Sequence, residues 1–112
     1  MTLETLRAYG ANTAEGLARC MDNEPFYMKV VGMALADRHF DALEAALAAG
    51  DARAAFEAAH ALKGAVGNAA LTPIYTPVCA LTELLRGRDA PVDGCEALLD
   101  EILAQRERAL AL

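Results

Sequence analysis

Between Leu43 and Leu62 the chain reads "LEAALAAGDARAAFEAAHAL", two alanine-rich runs that meet at Gly50-Asp51. Glycine suits the end of a helix and aspartate the cap of the next one. A helix stop followed at once by a helix start leaves almost no loop, so the two helices have to fold back antiparallel against each other. Before the break, Phe26, Val30, Val31, Ala34, Leu35, Phe40, Leu43 and Leu47 follow three-and-four spacing, which predicts one long helical region from Glu24 to Ala49 with a bend near "ADRHF". After it, the pattern runs on from Asp51 to about Ala70. Alanine supplies 26 of the 112 residues and aromatics only 5%. Such helices can approach one another closely.

The remaining segments are helical as well. Residues from Leu3 to Met21 read as one or two short helices broken near "YGANT", with Asn12 or Thr13 as a cap. Thr72-Pro73 and Thr76-Pro77 repeat a start signal. The next helix therefore begins at one or the other and runs to Arg86. "GRDAP" is a loop, and a last helix runs from about Pro91 to Leu110 on a stripe of Val92, Cys95, Leu98, Leu99, Ile102, Leu103 and Leu110. No strand alternation and no internal repeat is present. The expected fold is all-α: an antiparallel four-helix bundle, core about 22–110, with one or two short N-terminal helices. Residues 1–112 are expected to form one domain.

The formal net charge of −6 argues against nucleic acid or an anionic membrane surface as partner. No apolar run has the length of a membrane span and no signal-peptide pattern opens the chain. Cys20, Cys79 and Cys95 are odd in number and widely spaced. They read as reduced thiols of a cytoplasmic protein.

The helix after Gly50-Asp51 carries the chemistry. In "AHALKGAVGNAAL", Lys63, Gly64 and Gly67 lie three, four and seven residues after His60. At about 100° per residue, Gly67 lies within about 20° of His60, and Phe56, Glu57 and Gly64 within about 60°. Ala55, Ala58, Leu62, Ala65, Val66 and Ala69 fall on the opposite, core-facing side. His60 thus sits on an outward face with no side chain at two nearby positions. Each glycine costs a helix about 1 kcal/mol relative to alanine. That cost makes sense where another backbone or a ligand must come close, or where helices pack tightly.

"AHALKG", from Ala59 to Gly64, resembles the signature of histidine-containing phosphotransfer (HPt) domains, and the rhythm of long helix, Gly-Asp break and histidine helix resembles them too. The resemblance implies a four-helix bundle that relays phosphoryl groups in two-component signalling. It implies His60 as phosphoacceptor, Lys63 as the charge that offsets the phosphoryl oxygens, and Gly64 and Gly67 as docking positions. The implied partners are a response-regulator receiver domain and a sensor histidine kinase. The chain itself would be a monomeric carrier with no kinase activity and no cofactor or metal of its own, a divalent cation coming with the receiver. Asn68 and Arg86 also match the family. Phe56 shares the His60 face, either packing on a neighbouring helix or belonging to the docking patch.

Two positions depart from the family's pattern. Where many members carry a glutamate or glutamine that orients the histidine ring, the apolar register puts Thr82, with Glu83 beside it. Where a glycine is usual ten residues after the histidine, this chain has Ala70. The competing function is a helical interaction module that binds through the His60 face without covalent chemistry.

Overall fold

The computed structural model describes all residues 1–112 and contains seven helices and no strand: α1 (Leu3–Tyr9), α2 (Thr13–Arg19), α3 (Glu24–Leu35), α4 (His39–Ala48), α5 (Ala52–Asn68), α6 (Thr72–Leu85) and α7 (Cys95–Leu110). Helices α4 to α7 form the antiparallel bundle, with α5 packed on both α4 and α6, and α6 on α7. No helix is long and apolar enough to cross a membrane.

Asp51 caps α5 as its sequence position implies, accepting from the Ala54 N–H at 3.1 Å. Just before it, Gly50 takes a left-handed φ of 71°, which lets the Asp51 N–H close back on the Ala46 carbonyl at 2.9 Å. The far end of α5 closes in the same way, the Leu71 N–H donating to the Val66 carbonyl at 3.0 Å. There the left-handed residue is Ala70, with φ 57°. This is the position where the family usually has glycine. The structure shows why, since the backbone geometry there favours a residue without a Cβ.

The face of α5 assigned to the core is buried: Ala55, Leu62, Val66 and Ala69 are wholly inaccessible. Ala59 joins them, and Ala65 is only half-buried. In α6 the first of the two start signals is used. Pro77 lies inside the helix, at a cost of about 3 kcal/mol. Burial of Ile74, Val78, Leu81 and Leu85 on one stripe outweighs it, at about 1.5–3 kcal/mol per side chain.

Three expectations are corrected. The helical region from Glu24 to Ala49 does not merely bend near "ADRHF" but breaks there into two helices, α3 and α4, separated at residues 36–38. Arg106 of α7 holds the break: its Nε donates to the Leu35 carbonyl at 2.8 Å, and its guanidinium lies 4.5 Å over the Phe40 ring. Asp37 Oδ1 accepts the His39 N–H at 2.8 Å and meets the ring Nδ1 at 2.7 Å. In α3 the core contact is Tyr27, fully buried, while Phe26 is exposed. Helix α7 begins at Cys95, not Pro91, and Leu110 points outward.

Helices α2 and α3 are fastened to the C-terminal end of α5, and α1 to α7. Burial pushes the Tyr27 hydroxyl's pKa up, and that hydroxyl donates to the Ala69 carbonyl at 2.9 Å. The Asn12 N–H donates to Ala70 O at 2.9 Å. Tyr9 ties α1 to α7 by donating to Gln105 O at 2.9 Å; burial raises its pKa to about 12.

Candidate functional site

His60 is exposed on α5. Its ring stacks on Phe56 one turn earlier, with centroids 5.9 Å apart and planes 16° from parallel. Phe56 is half-buried and packs on the core, so it gives the imidazole a fixed floor. Arg86 covers the same phenyl ring at 5.1 Å and donates to Glu83 at 2.9 and 3.1 Å. That pairing holds the Glu83 carboxyl below its ordinary range, with a smaller contribution from Lys63.

Neither Thr82 nor Glu83 has its hydrogen bonds directed at His60 here. Thr82 is fully buried and donates back to the Val78 carbonyl at 2.7 Å. Glu83 is engaged by Arg86. The ring contact His60 does make is with Phe56, from its own helix.

The two glycines have different roles. A Cβ built at Gly64 would meet nothing within 4 Å; one built at Gly67 would lie 2.8 Å from Tyr75 Cε1. Gly64 is an open position beside the imidazole. Gly67 also lines the groove, but the Tyr75 ring of α6 leans over it, so it makes room for a neighbouring helix as well. A helical wheel places both glycines on one face but carries no information about which helix leans over that face.

His60, Lys63, Gly64 and Asn68 line a groove of about 740 Å³ whose opposite wall comes from α2, through Asn12, Glu15 and Arg19. Asn68, the last residue of α5, is exposed there. Sequence reasoning missed the α2 wall altogether. Arg19 donates to Gly67 O and, more weakly, to Asn68 O at 3.5 Å, and pairs with Glu15. Lys63 is in none of the ion pairs, which are Arg19–Glu15, His39–Asp37, Arg53–Asp89 and Arg86–Glu83, though its charge acts on Glu83. No three His, Cys, Asp or Glu residues converge as metal ligands would. Cys20 and Cys95 are buried and Cys79 half-buried, all three as free thiols.

The contrast between the glycines sets opposite expectations for one substitution. Gly64→Ala should raise the melting temperature by about 2–6 °C, because alanine restricts the unfolded chain by about 0.4–1 kcal/mol more than glycine does. Gly67→Ala should lose that gain, since Tyr75 has to turn away. Thermal melts of the two variants measure this directly, and a lower melting temperature for Gly64→Ala would rule out an open face.

The Hpt domain family model matches residues 33–111. No curated protein and no solved structure matches the chain. The matched segment holds α4 to α7 and every groove residue of α5; it excludes α1, α2 and most of α3.

Proposed function

Because the chain belongs to the Hpt domain family, whose members act in two-component phosphotransfer, we propose that it carries a phosphoryl group on His60 between an upstream donor and a response regulator. The observation that carries this reading is the exposed His60 ring, stacked on Phe56 beside Gly64, where an added Cβ would meet nothing within 4 Å. A lone pair on a ring nitrogen attacks the phosphorus of a receiver's aspartyl phosphate. The N–P bond forms as the acyl P–O bond breaks, and the carboxylate leaves with the electron pair. Reversal of the same step hands the group on.

Lys63 offsets negative charge on the phosphoryl oxygens. The divalent cation such transfer uses would be brought by the receiver. The chain would act as a monomeric carrier without ATP-dependent activity of its own, in the cytoplasm, a compartment that suits three free cysteines.

The test is to mix the protein with receiver domains carrying labelled aspartyl phosphate. Label should move to this chain in a form that acid releases and alkali does not. Stable binding with no label transferred would instead establish the interaction module. Lys63→Ala should slow transfer about 10-fold or more without abolishing it, because the lysine stabilises charge and forms no bond to phosphorus. Single-turnover rates equal to wild type would remove Lys63 from the mechanism.

A further inference from the structure

We propose that Arg19 of α2 is a docking residue for the receiver, a cation supplied from outside the family-matched segment and set by its pairing with Glu15. The proposal rests on the phosphotransfer reading of the groove.

Three observations lead to it. Arg19 is anchored rather than loose, through Gly67 O, Asn68 O and Glu15, yet its side chain keeps 41% exposure. Helix α2 is itself held rigidly, since the Asn12 N–H bonds Ala70 O and Gly16 packs directly on Tyr27. The charged groups lining the groove besides His60 are Glu15, Arg19 and Lys63, which leave one net positive charge in a chain of net charge −6. A partner bearing an acyl phosphate is anionic where it docks, and a groove of net positive lining suits it.

Distance decides what Arg19 can do. It bonds the carbonyl of Gly67, seven residues beyond His60, or about 10 Å along the helix axis. That is too far to touch the phosphorus under transfer. It is close enough, at about one Debye length in physiological salt, to act on the partner's surface charge. Arg19 therefore contributes to encounter and affinity, while Lys63 acts on the chemistry. Glu15 partly cancels Arg19, so the two members of one ion pair have opposite effects on docking.

The experiment uses the full chain and a receiver domain loaded with beryllofluoride, an aspartyl-phosphate mimic, chosen as the tightest binder among receivers of the same genome; transfer of label from the same receiver is measured separately. Affinity is measured for wild type, Arg19→Glu, Arg19→Lys and Glu15→Gln across a salt series. At low salt Arg19→Glu should weaken binding about fourfold and Glu15→Gln should tighten it about twofold, from a factor near two per unit charge at about 10 Å in water. Arg19→Lys should stay near wild type, and the differences should fade toward 1 M salt, where the Debye length is about 3 Å. If Arg19 and Glu15 only tie α2 to α5, both single changes weaken binding alike, independently of salt, and the proposal falls. Binding that follows the charge pattern without any transfer of label would overturn the carrier reading and leave Arg19's docking role standing.

Discussion

Replacing His60 by glutamine is expected to abolish transfer of label from a phosphorylated receiver while leaving the fold intact. Glutamine keeps a polar side chain of similar reach but has no ring nitrogen lone pair able to form the phosphoramidate. The loss should therefore be complete. His60 is exposed and makes one intrahelical contact, the stack on Phe56. A pair of that kind supports a helix by about 0.2–0.5 kcal/mol. Glutamine has at least as good a helix propensity as histidine, so the melting temperature should move by no more than about 3 °C. Residual labelling at wild-type rates would assign the acceptor to His39, the chain's other histidine, whose ring nitrogen already meets Asp37. A large drop in stability would show instead that the ring is part of the core.

The largest expected effect on stability lies away from the histidine. A Cβ at Gly16 would stand 2.3 Å from Tyr27 Cε1, closer than two carbons can come. Tyr27 has nowhere to go: it is fully buried and its hydroxyl is bonded to Ala69 O. Gly16→Ala forces either an overpacked contact, costing about 1–3 kcal/mol, or loss of the buried hydrogen bond, costing a similar amount. A destabilisation of roughly 1–3 kcal/mol follows, or about 5–15 °C in melting temperature. Because Tyr27 and Arg19 both fasten onto the end of α5, the variant should also dock receivers less tightly. Denaturant and thermal unfolding measure the first effect. Wild-type stability would mean that α2 is not seated on Tyr27. Together with the near-neutral melt expected for His60→Gln, this separates what the chain needs to fold from what it needs to transfer.

The bundle was legible because its signals are local. Gly50-Asp51 reads as a stop and a start from two residues. The α5 wheel sorts Ala55, Leu62 and Val66 inward and His60 outward from spacing alone. The charge and openness beside His60 follow from Lys63 and Gly64 on the same helix. What was not legible depends on other helices. Thr82 lies in the register of an orienting residue, but its position in the core left its hydroxyl only the carbonyl of Val78. Gly67 looks like Gly64 on the wheel, and Tyr75 from α6 makes it different. Phe26 and Tyr27 are neighbours with similar claims on an apolar stripe, and a tyrosine won because Ala69 O offered its hydroxyl a buried partner.

By itself, then, the sequence determined an all-helical chain, the turn between α4 and α5, the inward and outward faces of α5, and a histidine with a lysine and a glycine on its exposed side. These rest on propensity, capping and period, which act over a few residues. The tertiary structure decided that the bend expected near "ADRHF" is a full break between α3 and α4, since Arg106, 71 residues from Leu35, supplies the donor for the freed carbonyl. It alone decided that α2 closes the groove and brings Arg19 to Gly67, 48 residues away in the chain. Contacts at such separations leave no periodic trace, because each is set by the packing of whole helices and not by the spacing of residues along one.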